Sequence, residues 1–464
     1  MGKILFSAIG TTDPFRNFHD GGWAHCLRWE SPDRTVIYLS KMMCDYEDEH
    51  GFYSKAIDLM NEDRKKEGKP PIHLDFIRRE GLTKPHIYGY LLKDFIDILT
   101  DLYIKNPDDE IIINVSSGTP AMKSCLADMK TFLPFSDKIR FLQVDAPDEG
   151  KDNQIGRTDK DYDLMGNWDC NEDRNSEAPK RVHPLETEER DVLLRMRYAK
   201  ELIMEHEYHA ARELIREDLP YYENSDFVSS ALVGADHRTM IHLHRAGTNL
   251  DKANISCRNL LQEADHPIRQ CAEMILTMIN DVDRHDYANM LRKITPVMFV
   301  YTLYIFKDEN GYDPTRYVDR RGHVDWDRLE RDKLEYTAAV RRNGNGSLPR
   351  VSYLNTSLLL PGLRESTKYA RAVEILTELR EVESDGRCDA AHVIVGIDDA
   401  WIREKTELNS RQILARLKEL IQIVEPKYDA DFWNDYHDMD QKICDMMKLK
   451  SIWDKETRKG DENE

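Results

Sequence analysis

The sequence predicts an α/β half built on a mostly parallel sheet, followed by an all-α half. Three observations carry that reading. Short apolar, β-branched runs alternate with helix-spaced segments up to about residue 147. Residues 147 to 185 then turn polar and irregular, and from Glu186 onward apolar residues recur almost wholly at helical spacing.

In the first half the strand candidates are Ile4–Ile9, Thr35–Leu39, His73–Ile77, Ile111–Val115 and Ile139–Val144. Runs of this length and greasiness suit strands covered on both faces. Helical patterns at Gly51–Glu67 and Gly89–Lys105 lie between them, which gives the strand–helix alternation of a Rossmann-like, doubly wound sheet. The polar stretch 147–185 is expected to be a domain boundary or a long loop. Beyond it, Leu193, Leu194, Met196, Ala199, Leu202 and Ile203 mark one helix, and Ile275, Leu276, Met278 and Ile279 another. Further helices are expected at Thr367–Val382, Arg387–Val395 and Ser410–Val424, with loops over Asp308–Asp327 and Arg341–Ser357.

Two loops in the α/β half point to chemistry. Ile111 to Val115 breaks into Ser116-Ser117-Gly118-Thr119 and then Pro120, a strand feeding a helix through small polar residues. Such a loop offers backbone N–H groups and hydroxyls with little bulk, which suits a phosphate or nucleotide, and proline sits well at a first helical position. The N-terminus repeats the device, with Lys3–Ile9 as the strand and Gly10-Thr11-Thr12-Asp13-Pro14 as the loop. Side by side on parallel strands, the two loops would form one polar floor. Neither has the lysine of a Walker loop nor the Gly-x-Gly-x-x-Gly of a dinucleotide site.

Composition narrows the partners. The 66 basic residues against 86 acidic ones give a net charge of −20, which argues against a general nucleic-acid coat. The eight cysteines include no Cys-x-x-Cys pair, so no structural metal or disulfide framework is expected, and a reducing cytoplasm is. The first apolar stretch runs straight into a polar turn, unlike a signal peptide, and Val297–Phe306 is too short to span a bilayer. Asp145 and Asp148, after the last strand, read as solvated loop carboxylates.

Four Arg/His pairs have four to six residues between them: Arg79/His86, Arg238/His244, Arg316/His323 and Arg387/His392. Histidine moves protons near neutral pH and arginine stabilises charge on a phosphorane, so such a pair supports phosphodiester cleavage without a metal. The nucleophile would be the substrate's own ribose 2′-hydroxyl, so RNA and not DNA would be cut. Arg79/His86 reads as a connecting loop and Arg316/His323 as a solvated turn. Arg238/His244, on a helix, is the competitor to Arg387/His392, which opens an apolar helix. Five residues turn a helix through about 500° and rise about 7.5 Å, so one regular helix would not aim both side chains at one phosphate. Arg387 then belongs in a loop or first turn, or two chains share the site; small Ala390 and Ala391 would let a second helix approach, as in a symmetric dimer.

This order of features resembles the ancillary ribonucleases of type III CRISPR systems. Those proteins pair an N-terminal CARF (CRISPR-associated Rossmann fold) sensor with a C-terminal HEPN nuclease through a helical connector. The matching segments are Lys3 to Arg16 with His19-Asp20-Gly21, Ile113 to Met122, Tyr353 to Leu358, and Arg387-x4-His392. The resemblance implies a sensor over residues 1–180, a connector over 181–295 and a nuclease over 296–464. It implies a homodimer that binds a cyclic oligoadenylate through Gly10, Thr11, Asp13, Asn114, Ser116, Ser117, Gly118 and Thr119. The first loop is similar to those of members that respond to cyclic hexa-adenylate, with cyclic tetra-adenylate as the alternative. Thr119 would be the residue to test for cleavage of the activator itself. Arg387 and His392 from both protomers would cut single-stranded RNA, with no cofactor or metal required, and Cys388 stands where relatives often carry a polar residue.

The competing reading is a non-catalytic nucleotide-sensing regulator whose helical half binds protein or DNA. That half shows no basic helix-turn-helix, and its charge is wrong for duplex binding. A nucleotide-modifying α/β enzyme would need a base or metal cluster near Gly118, and none is apparent.

Overall fold

The computed structural model describes residues 2–147, 162–344, 346–349, 352–386 and 396–450. The chain forms two compact units, Met1–Asp191 and Val192–Glu464.

The first unit is built on strands β1 (Lys3–Ala8), β2 (Phe15–Arg16), β3 (His19–Asp20), β4 (Arg34–Ser40), β5 (His73–Arg79), β6 (Glu110–Asn114), β7 (Ile139–Val144) and β8 (Val182–Pro184). Its helices are α1 (Gly22–Glu30), α2 (Lys41–His50), α3 (Phe52–Lys66), α4 (Leu92–Lys105), α5 (Pro120–Phe132) and α6 (Leu164–Asp169). Six strands make one sheet in the order β5-β4-β1-β6-β7-β8, parallel except for β8, which runs antiparallel to β7. The central strands are buried almost throughout because helices cover both faces, which is why they read as unbroken apolar runs. Leu5, Ile37 and Ile112 pack on one side with Trp23, Leu27 and Tyr53; Phe6, Val36 and Ile113 pack on the other with Phe95, Leu99 and Met122. The fold is therefore Rossmann-like, as expected.

One local expectation needs correction, and two elements are present that the sequence reading did not name. Within the stretch expected to be a boundary or long loop, residues 162–185 are packed into the first unit: Tyr162 packs beside Phe52, α6 seats Trp168 in the core, and β8 completes the sheet. Their tertiary partners lie far away in sequence, so no local pattern announced them. The segment Asp13 to Glu30 holds a two-stranded hairpin, β2–β3, and the helix α1. The run after β4 is helical from Lys41, so α2 precedes the expected helix, which itself begins at Phe52.

The second unit is helical. Its longest helix, Tyr287–Asn310, contains Pro296, spans the expected 295/296 border and includes Val297–Phe306. No helix of the described residues is long and apolar enough to cross a membrane. Helices Ala370–Glu381 and Ser410–Val424 fall close to their expected places, the latter starting with a capping box of Asn409 and Gln412. A buried charge network ties this unit together. Arg238 donates to both Glu273 oxygens at 3.0 Å and to Asp435 at 2.6 Å, and Arg269 donates to Glu273 at 2.6 Å. The two guanidinium groups hold the Glu273 carboxyl low against the burial that would raise it.

Candidate functional site

The site begins where the sheet changes direction. From β1 the chain turns to α1 on one face, and from β6 it turns to α5 on the other. Adjacent strands that part in this way leave a crevice at their carboxyl ends, the usual ligand position in open α/β sheets. Both predicted loops lie there, and they touch: a Cβ placed on Gly10 would stand 2.9 Å from the Gly118 amide nitrogen. Gly118 itself has a φ of +93°, a conformation that L side chains rarely adopt.

Asp13 ties the loops together from below. It is fully buried, and its oxygens accept from the Gly10 and Trp23 amides and from the Ser117 hydroxyl, each at 3.0 Å. Burial pushes its carboxyl up from the ordinary value, and these donors oppose the rise. Asn114 forms a second tie, donating to Ser7 Oγ and Ser117 Oγ at 2.9 Å while accepting the Ser116 amide at 2.9 Å. Ser116 Oγ accepts the Val144 amide at 2.7 Å, joining the floor to β7. Thr119 caps α5: its Oγ1 accepts from the Met122 amide at 3.3 Å and donates to the Pro85 carbonyl at 2.7 Å.

The eight predicted sensor residues thus come together, in two tiers. Gly10, Asp13, Asn114 and Ser117 are buried in the floor, while Thr11, Ser116, Gly118 and Thr119 are half-buried at its surface. Ser116 also lines a cleft of about 390 Å³, with Thr12, Arg16, His19, Lys123 and Arg181 among its walls. Thr12, Arg16 and His19 fall within the N-terminal segment that carries the resemblance, although none of them was named as a ligand contact. Lys123, on a helix face, and Arg181, just before β8, belong to no quoted segment.

Below that cleft lies a charged cluster. Asp20, His25 and Asp173 place ligand atoms within 4.8 Å of one another, as a metal site would. Protein cations already fill the position. Arg28 donates to Asp20 at 2.6 and 2.9 Å, Asn171 to Asp20 at 2.8 Å, and Arg181 to Asp173 at 2.6 Å. The Arg181 amide donates to His25 Nε2 at 3.1 Å. Burial alone would push Asp20 up, but His25, Arg28 and Asn171 outweigh it and bring its carboxyl down to about 2. The donor set fits a guanidinium better than a metal ion.

In the helical unit, Arg387 and His392 lie outside the described residues, as do Cys388, Ala390 and Ala391. The described chain leads toward them through helix Ala370–Glu381 and a π-helical turn, Val382–Gly386. The competing pair does not meet: Arg238 is fully buried in its charge network, whereas His244 is exposed beside Asp265 at 2.9 Å. Arg79 is occupied by Asp94 at 2.8 and 2.9 Å. His323 pairs by backbone with Tyr353, on the surface as expected of a turn. Asn355 caps the short helix Thr356–Leu359 through the Leu358 amide at 3.1 Å.

Comparisons with known proteins agree with the two-part reading. A model of the Cas_Csm6 HEPN domain matches residues 260–444, and one of the Cas_Csm6 CARF domain matches residues 75–182. The chain is 29% identical over 418 residues to the CRISPR system endoribonuclease Csm6 of Mycobacterium tuberculosis (strain ATCC 25618 / H37Rv), covering 89% of this chain and 92% of that one. It is 26% identical over 315 residues to the CRISPR system endoribonuclease Csm6 of Enterococcus italicus, covering 64% and 69%. A solved structure of Enterococcus italicus Csm6 bound to cyclic hexa-2′-fluoro-hexa-dAMP superposes with a TM-score of 0.61 at 18% identity, over 96% of this chain and all of that one. That identity bears on the fold alone.

Proposed function

Since the chain belongs to the Csm6 family of CARF–HEPN endoribonucleases, we propose that a cyclic oligoadenylate on the loop floor licenses it to cut single-stranded RNA without a metal. Membership in an endoribonuclease family sets aside the non-catalytic regulator. The observation that carries the gating is the paired loop floor at the sheet's switch point, locked by Asp13 and Asn114. Its surface tier of Thr11, Ser116, Gly118 and Thr119 is the face offered to the ligand, and Gly10, Asp13, Asn114 and Ser117 hold that face in shape. Cyclic hexa-adenylate is the favoured ring and cyclic tetra-adenylate the alternative.

Cleavage is assigned to Arg387 and His392 of two protomers in a homodimer. Support comes by elimination: the arginines of two other pairs are committed to carboxylates. One imidazole takes the proton of the 2′-hydroxyl, whose oxygen attacks the adjacent phosphorus. The bond to the 5′-oxygen breaks, that oxygen receives a proton from the second imidazole, and arginine stabilises the phosphorane charge. The products are a 2′,3′-cyclic phosphate and a 5′-hydroxyl. The expected sensor border at residue 180 falls short of β8, so the sensor is read as the whole first unit, Met1–Asp191, and the nuclease lies in the helical chain after it, where the HEPN model matches residues 260–444. Thousand-fold control requires the activator to favour the competent state by roughly 4 kcal/mol. Cleavage of the activator in the same pocket would use Thr119, whose hydroxyl must first exchange its bond to Pro85.

The test is RNA cleavage in EDTA with either ring added. Stimulation by one ring is expected, together with loss of cutting in His392→Ala. If neither ring stimulates, the gating fails; if His392→Ala cuts at the normal rate, the catalytic assignment fails.

A further inference from the structure

The cleft beside the loop floor carries two cations, Arg16 and Lys123, that make no ion pair or hydrogen bond among the described residues. Arg181, on the same wall, is already balanced by Asp173. The chain as a whole carries 86 acidic residues against 66 basic ones, so two cations without a partner among the described residues on one cleft run against its composition.

Both positions are rigidly founded. Arg16 stands on the β2–β3 hairpin, turned at Asn17 and Phe18, whose φ values are 49° and 64°. Strand alternation sends Phe15 inward, where it packs on Trp168 with ring centres 5.0 Å apart, and leaves Arg16 facing out. The hairpin tip is fastened by the Glu172 amide donating to the Phe18 carbonyl at 2.8 Å, and Tyr162 donates to the Phe15 carbonyl at 3.0 Å. Lys123 lies one turn into α5, where its amide donates to the Thr119 carbonyl at 3.0 Å. Its side chain is exposed and projects beside the helix start, whose own dipole favours an anion.

We infer that Arg16 and Lys123 are the phosphate-reading side chains of this cleft, holding the phosphodiester backbone of the ring while the loop floor shapes the surface beneath it. This inference rests on the activator reading above. It adds an electrostatic contribution to affinity from two side chains that are not among the eight expected ligand contacts.

The experiment measures direct binding of cyclic hexa-adenylate and cyclic tetra-adenylate to the full chain carrying His392→Ala, from 50 to 500 mM salt. Arg16→Ala is expected to weaken binding about tenfold and Lys123→Ala about threefold, each flattening the salt dependence by about 0.7 in log–log slope per contact removed. Arg16→Lys, which keeps the charge, should recover most of the slope. Thermal unfolding of each variant should match the parent, since neither side chain makes an ion pair or hydrogen bond among the described residues. Unchanged affinity and slope in both variants, with a parent protein that binds a ring, would overturn the inference and leave the activator reading standing. A parent that binds neither ring would overturn both.

Discussion

The two units each bury a network of charged and polar side chains, and they spend it differently. In the helical unit, Arg238, Arg269, Glu273 and Asp435 pair with one another and are all buried. In the α/β unit, Asp13, Asn114 and Ser117 also bond to one another, yet they do so beside a cleft lined by Arg16 and Lys123, which have no ion pair among the described residues. Buried polarity alone therefore does not separate the two units. The cations on the neighbouring cleft do.

The largest expected effect breaks the closed network. Glu273→Ala should strand two guanidinium groups in the core and cost about 3–5 kcal/mol in urea unfolding. A loss below about 1 kcal/mol would mean that the network is not the clamp described. Next comes a contrast between histidines. His392→Ala should slow RNA cleavage at least about a hundredfold, whereas His244→Ala, on an exposed side chain, should stay within about twofold of the parent. The reverse pattern would move the catalytic site.

Acid probes the α/β unit. Asp20 is held at about 2 in the folded chain, below its ordinary 3.8. A lowered carboxylate contributes stability that is present above the unfolded value and is lost as pH falls through the folded one. Roughly 2 kcal/mol should therefore disappear between about pH 4 and pH 2, and Asp20→Asn should flatten that part of the profile. The smallest effect sharpens the floor itself. Asp13→Asn turns an acceptor toward the amides of Gly10 and Trp23 into a donor on one side. The apparent activator affinity should fall by about 1–2 kcal/mol with RNA cleavage at saturating activator retained. Identical titration curves would remove Asp13 from the floor.

Much of the α/β unit was legible because its signals are local. Ile111–Asn114 followed by Ser116, Ser117, Gly118 and Thr119 announces strand, turn and cap within one short window, and Lys3–Asp13 does the same. The cleft walls were illegible for the opposite reason. Arg16 ends a quoted segment, yet only the hairpin shows which way it faces, and Arg181 gains meaning only from Asp20, His25 and Asp173. Arg238 shows the same limit from the other side. On the sequence it competes as a catalytic arginine, because a helix-spaced pair cannot reveal that Glu273 and Asp435 converge on it from other helices. Asp13 stood out on the sequence as part of the first loop, while its place underneath the floor needed three-dimensional partners to see.

The short strand β8 has a practical consequence. It pairs with β7 as the last member of the sheet, and the residue just before it supplies the guanidinium that balances Asp173. A fragment cut at residue 180 would discard that arginine and lay bare the amides and carbonyls of β7, an invitation to edge-to-edge self-association. Anyone wishing to crystallise or titrate the sensor half by itself should carry the chain through Asp191, where Thr187 and Thr131 both bond to its carboxylate.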